Sequence, residues 1–165
     1  MAYFSKEEMV KWYNTLPSVP LGAKIILTNQ KNEVLIVKTT YRPGWQLIGG
    51  VVNKDESPLQ AVLRETTEET SLVLEPSRLT FRGTGYTKPR HGVPGVLSLV
   101  FAAQLTNDEV ANLSMQKKEI EQFSFVSLDK LPREELNPSL AEAIAFHEAG
   151  VEAGYVEDGQ VEVKI

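Results

Sequence analysis

Cysteine is absent from the 165 residues, which excludes disulfides, thiolate metal sites and thiol nucleophiles and fits a reducing compartment. Cytoplasmic localisation is the matching expectation. Long apolar runs are absent as well: the most apolar stretch, 96–103, is interrupted by Ser98 and falls far short of the roughly 20 residues of a membrane span. The opening, with Lys6, Glu7 and Glu8, lacks a signal-peptide pattern. A positive surplus is also missing, since 17 Lys and Arg stand against 22 Asp and Glu for a formal charge of −5. Such a chain has no field that draws polyanions nonspecifically, so neither a membrane nor a nucleic acid is an expected partner. The chain does have an ordinary globular balance, 42% hydrophobic and 24% charged, and a length that suits about one domain with its own core.

Punctuation along the chain predicts alternating elements. Ser5 and Glu8 have capping-box spacing and open a short helix through Met9, Val10, Trp12 and Tyr13, stopped by Pro17 and Pro20. This forms an arm over residues 1–20. The β-branched runs 23–27 and 34–38 flank a polar stretch and predict a hairpin. A turn at Arg42-Pro43-Gly44 leads to a brief strand over 45–48, then Gly49-Gly50. A helix is predicted over 57–70, strands over 79–86, 96–105 and 123–126, and a helix with Asn137 as N-cap, Pro138 at its first position and Gly150 beyond its end. Asp158-Gly159 marks a final hairpin turn within the extension 151–165. Strands interleaved with helices imply one α/β layered domain with a mixed sheet.

Chemistry concentrates in the second helix. Ser57 caps it, Pro58 suits its first position and Gln60 completes a capping box. Glu65, Glu68 and Glu69 then fall at i, i+3 and i+4 on one face, while Leu59, Val62, Leu63, Thr66 and Thr70 form an adjacent packing stripe. Clustered carboxylates repel one another unless a divalent cation takes up the charge, and hard oxygen donors suit Mg²⁺ or Mn²⁺. Helical glutamates alone are more commonly just an ordinary solvated face.

The whole string GVVNKDESPLQAVLRETTEETSL resembles the Nudix box, G-x5-E-x7-R-E-U-x-E-E-x-G-U with U a bulky aliphatic. Gly50, Glu56, Arg64, Glu65, Glu68, Glu69 and Leu72 match, a coincidence on the order of once in 10⁵ sequences at average residue frequencies. The similarity extends from Gly22 through the W-x-x-x-G-G approach to the box, and later to Lys118-Glu119-Ile120-Glu121 and Leu128-Asp129-Lys130-Leu131-Pro132. It implies an α/β/α sandwich around a central mixed sheet, and a hydrolase of nucleoside diphosphate derivatives in which water attacks phosphorus. By the same resemblance, Glu65, Glu68 and Glu69 would bind Mg²⁺ or Mn²⁺ with a carbonyl of Gly49 or Gly50. Arg64 would orient the carboxylates, and Glu56 would hold the loop to the helix. The general base is open between Glu65 and a late glutamate, Glu119 or Glu121. Thr66 and Ser71 depart from the pattern; a serine at the left-handed helix end costs about 1 kcal/mol relative to glycine.

Outside the box, Lys88, Arg90 and His91 lie in a Pro/Gly loop that could contact substrate or be plain basic surface. Trp45 could stack on a base or fill the core, and His147 falls on the apolar side of its helix, which predicts partial burial. Two further readings stand beside the hydrolase: a catalytically silent nucleotide sensor, and a nucleotide-sugar hydrolase attacking at carbon. The alternating strand near the end could pair a second copy as a homodimer.

Overall fold

A computed structural model describes residues 4–131 and 138–164. The elements run α1 (Lys6–Tyr13), β1 (Leu21–Thr28), β2 (Val34–Thr39), β3 (Trp45–Gln46), β4 (Ile48–Val51), α2 (Pro58–Thr70), β5 (Thr80–Thr87), β6 (Val96–Gln104), α3 (Asn107–Ala111), β7 (Ile120–Val126), α4 (Pro138–Glu148), β8 (Gly154–Glu157) and β9 (Gln160–Lys164). The strands form one mixed network, in order β3-β2-β1-β6-β5-β8-β9, with β4 also on β1 and β7 also on β2. β1 runs parallel to β6, and β5 parallel to β8. β1 and β2 share the single register pair Thr28↔Val34. The hairpin therefore splays, and its strands find their other partners separately.

Two cores lie on the two faces of the sheet. Ala23, Ile25 and Leu27 pack with Ala61 and Val62 of α2, whereas Ile26, Val100 and Val156 pack with Leu140, Ala143, Ile144 and Phe146 of α4. The period-2 alternation of β1 sends successive side chains to opposite layers, so both helices find an apolar floor. The result is an α/β/α sandwich with a central mixed sheet.

The predicted elements fall close to their places, with informative differences. The single strand expected at 45–48 is two, because Trp45 and Gln46 pair with β2 while Ile48 onward pairs with β1. α3 was not foreseen, although Thr106 and Glu109 form a capping box at its start; its five residues are too short to show a periodic stripe. Leu59, expected on the packing stripe, is exposed, while Ala61 takes a buried place beside Val62. None of the residues of α1 is buried, so the arm lies apart from both cores. His147 is exposed rather than partly buried, and its Nε2 lies 2.9 Å from Asp129 Oδ1; it falls just past Phe146, where the buried stripe of α4 ends. Asn137 and Pro132 lie outside the described residues. No helix among the described residues is long and apolar enough to cross a membrane.

α2 is built as its sequence requires. Ser57 and Gln60 form a complete capping box, and Thr66 and Thr70 are buried with their hydroxyls donating to the carbonyls of Val62 and Thr66 at 2.7 and 2.6 Å. Ser71 ends the helix in the left-handed region at φ 62°, with its hydroxyl donating to Ser114 O at 3.1 Å. Ser71→Gly should therefore raise stability by about 0.5–1 kcal/mol, the relief at the left-handed position exceeding one exposed hydrogen bond. Urea denaturation checks this, and a loss of stability would mean that the bond to Ser114 outweighs the backbone strain.

Candidate active site

The site forms where β4, the loop after it and α2 meet. Arg64 organises it. Its Nε donates to Glu56 Oε1 at 2.8 Å and Nη2 to Glu56 Oε2 at 3.1 Å, a two-pronged clamp on the loop. Nη1 donates to Glu65 at 2.7 Å and Glu68 at 3.0 Å, and Nη2 also reaches the Val51 carbonyl at 3.3 Å. Glu56 in turn accepts from the Asn53 N–H at 2.9 Å. These contacts raise the Arg64 pKa further and hold Glu56 below the usual carboxylate range, mainly through the Arg64 bond.

Glu69 is different. It is 3% exposed and accepts from the Gly49 N–H at 3.2 Å. Burial pushes its pKa up to about 8, and the like charges of Glu65, Glu119 and Glu68 add to the rise against the Gly49 bond. A buried acid surrounded by three others is where a cation would relieve both desolvation and repulsion. The donor set, carboxylates with nearby backbone carbonyls, fits a hard divalent ion. Among the described residues no three acidic or histidine side chains converge as a ready-made metal cage, and Arg64 engages both Glu65 and Glu68.

Two glycines shape the approach. A Cβ at Gly49 would lie 2.3 Å from the Ala23 carbonyl oxygen, and the residue has φ 137°; a Cβ at Gly50 would lie 2.3 Å from Glu65 Oε1. Gly49 thus lets β4 run against β1, and Gly50 leaves room for the Glu65 carboxylate.

The late glutamates separate. Glu119 is one of the charges acting most strongly on Glu69, and it also raises the Tyr41 pKa together with burial, Glu69 and Glu65. The Glu119 carbonyl accepts from Thr40 N–H at 2.9 Å, while the N–H groups of Ser114 and Gln116 donate to the last carbonyls of α2, those of Thr70 and Glu69. This turn is thereby fixed beside the helix end. Glu121 is exposed on β7, one residue beyond the buried Ile120, and is not among those charges. Tyr41 escaped sequence reasoning, since a tyrosine before Arg-Pro-Gly reads only as turn edge.

The basic loop is engaged with the C-terminal hairpin. Lys88 Nζ lies 2.6 Å from Glu157 and Arg90 Nη2 lies 3.2 Å from Asp158, while His91 occupies an exposed two-residue turn with Gly92, both at positive φ. Trp45 is half-buried against the α4-side core, with Lys38 Nζ 4.9 Å from its ring centroid.

The fold and the glutamate-bearing helix define an α/β/α sandwich that carries a carboxylate cluster on the helix packed against its sheet. A model described as NUDIX domain matches residues 19–146, and the chain belongs to the Nudix family. An RNA pyrophosphohydrolase of Thioalkalivibrio sulfidiphilus is 32% identical over 123 residues, covering 67% of this chain and 71% of that one. One of the same name from Xanthomonas oryzae is 36% identical over 66 residues, where the match spans 40% of this chain and 32% of the relative's length. Among solved structures, the MutT protein of Methanosarcina mazei superposes with a TM-score of 0.63 at 25% identity, over 82% of this chain and 98% of that one. The chain is a hydrolase acting on phosphorus anhydrides, and Nudix hydrolases generally use divalent metals.

The two glycines should respond differently to alanine. Gly49→Ala meets fixed backbone at a disfavoured φ and should lower stability by about 3 kcal/mol or more. Gly50→Ala meets the end of a flexible side chain, so the fold should survive while the displaced Glu65 lowers kcat at least about tenfold. Denaturation and steady-state kinetics on both variants test this; equal stability losses would contradict it.

Proposed function

We propose that this chain is a Mg²⁺- or Mn²⁺-dependent pyrophosphohydrolase in which water attacks a phosphorus of a nucleoside diphosphate derivative. The observation that carries the reading is the buried Glu69, which has only a backbone donor and no cation of its own, beside the carboxylates of Glu65, Glu68 and Glu119. We assign Glu65, Glu68 and Glu69, with a carbonyl of Gly49 or Gly50, as metal ligands. Arg64 acts as their positioning residue and Glu56 as the anchor of the loop. When bound, the metal supplies a water of lowered pKa and neutralises the phosphate oxygens. Glu119 is the better-supported general base of the two late glutamates, because its charge is felt at Glu69; Glu65, engaged by Arg64, is less free to take a proton.

The substrate is a nucleoside triphosphate, a nucleotide sugar or a related anhydride. The name shared by the curated relatives adds RNA to that set, against the expectation drawn from net charge. A panel of these compounds with each metal, read as phosphate or pyrophosphate release, tests the proposal. Tight binding without turnover would put a silent sensor in its place, and release of free sugar with an intact nucleoside diphosphate would indicate attack at carbon.

Excess chelator should abolish turnover and added Mg²⁺ or Mn²⁺ should restore it; full activity without metal would refute the assignment. Glu68→Gln and Glu69→Gln should each fold, since volume and helix propensity are kept and carboxylate repulsion falls. Each should lower kcat about 10² or more, the scale of one strong electrostatic contact in a transition state. Activity within a few-fold of the parent would remove the cluster from the chemistry. Neutralising Lys88 and Arg90 should raise KM more than it lowers kcat, as groups that hold substrate equally in ground and transition states contribute uniform binding. An unchanged KM would mark the loop as plain surface.

A further inference from the structure

α2 covers only part of its side of the sheet. It lies over β1 and β4, whereas the same face runs on across β6, β5, β8 and β9. Phe101 of β6 packs into the α2-side core while its neighbours Val100 and Ala102 pack into the other, so Leu97, Leu99 and Phe101 share the α2-side face. Phe81 is the register partner of Phe101, and the row of Leu99 continues through Thr84 to Tyr155 and Val163. Phe81 and Val163 are half exposed, and Leu97, Leu99, Phe101 and Tyr155 are only partly buried. A contiguous apolar face with aromatic side chains of this kind marks an interaction surface.

The chain carries a second apolar surface left uncovered. None of the residues of α1 is buried, and the arm exposes Phe4, Met9, Val10, Trp12 and Tyr13, the last two in edge-to-face contact at 5.0 Å. A helix shorter than about 12–15 residues is marginal in water and takes its stability from packing an apolar side. With eight residues, α1 needs a cover. The arm joins the sheet at the border of the open face, where the Pro20 carbonyl accepts from Leu97 N–H at 3.1 Å and Leu21 pairs in register with Leu97. Pro17 and Pro20 stiffen that link, and the helix stands away from its own sheet.

Charge narrows what covers the two surfaces. Lys6 and Lys11 balance Glu7 and Glu8 on the arm, which gives an anionic lipid surface nothing to attract. Beside the sheet face, the Lys88 ammonium is tied to Glu157 at 2.6 Å, so the basic groove that a single-stranded nucleic acid requires is lacking. A second copy of this chain supplies both halves, an apolar arm and an apolar face, in equal number. We propose that the chain forms a two-fold dimer in which the arm of each copy docks on the β6–β9 face of the other. The exchange is isologous, so every contact occurs twice and the assembly closes. In each contact Phe4, Trp12 and Tyr13 meet Phe81, Phe101 and Tyr155. Aromatic side chains bury about 150–250 Å² each, and roughly half of that is still open here. The two contacts together remove on the order of 1,200 Å² before the aliphatic side chains are counted, the size at which stable interfaces begin.

The test is sedimentation equilibrium of the full chain over a concentration series, with Trp12 fluorescence in a Trp45→Phe background reporting burial of the arm. The parent should sediment at twice the 18.4 kDa of one chain, and its Trp12 emission should move to the red as dilution releases the monomer. Trp12→Ser combined with Tyr13→Ser, on the arm, and Phe81→Ser, on the face, should each weaken the dimer at least about a hundredfold, the scale of losing aromatic anchors twice per dimer. All three side chains are exposed, so the thermal transition should stay cooperative; Val163→Ser is the second face variant should Phe81→Ser not fold. The monomeric Phe81→Ser should show Trp12 in water although its arm is intact. A parent that stays monomeric overturns the proposal, whether Trp12 is then buried on its own sheet or left in water. A dimer that survives the arm variant or the face variant has its interface elsewhere, such as the open edge of β9, and overturns it as well.

Discussion

The arrangement around α2 depends on one guanidinium. Arg64 has five N–H donors in a rigid plane, and its contacts engage all of them: two on Glu56, one each on Glu65 and Glu68, and one on the Val51 carbonyl. A lysine has neither the number of donors nor the planar spread to reach a loop and a helix face together. Because the same cation ties Glu56 of the loop to glutamates one residue and one turn along the helix, the loop's conformation and the carboxylates' orientation are set together. Glu69, outside the reach of that cation, is left with burial and a single backbone donor, and its charge is the one that remains uncompensated.

The sheet does the rest by placing small residues where charged groups must approach. Gly50 gives room to Glu65 on the α2 side, and Gly85 gives room to Glu142 on the α4 side. β1 serves both layers because its alternation is strict: Ala23 and Ile25 face the box helix, while Lys24 reaches back to Glu142. The two polar sites therefore lie on opposite faces of the sheet and are linked through the register pair of Lys24 and Gly49.

Much of this was legible in the residues. Capping boxes at Ser5 and Ser57, the left-handed end at Ser71, the Asp158-Gly159 turn and the glutamate spacing on α2 all act over a few residues, and local chemistry suffices to specify them. Where local reasoning failed, the missing information was long-range. The strand at 45–48 divides because two different partners claim its halves; Leu59 faces solvent because the helix's roll on the sheet is set by packing; His147 finds Asp129, 18 positions away.

The sequence by itself determined the family, the α/β/α class, the box helix and the residues that cluster on it, because these follow from spacing along one chain segment. Only the tertiary structure brought the charge of Glu119, and not that of Glu121, to bear on Glu69, bound the basic loop to the C-terminal hairpin, and set Glu142 over the small-residue floor of Gly22, Ser98 and Gly85. These facts depend on which strands lie side by side and which face each side chain takes. Such juxtapositions, between positions as distant as Lys24 and Glu142, are fixed by sheet register and helix docking, which no local periodicity encodes.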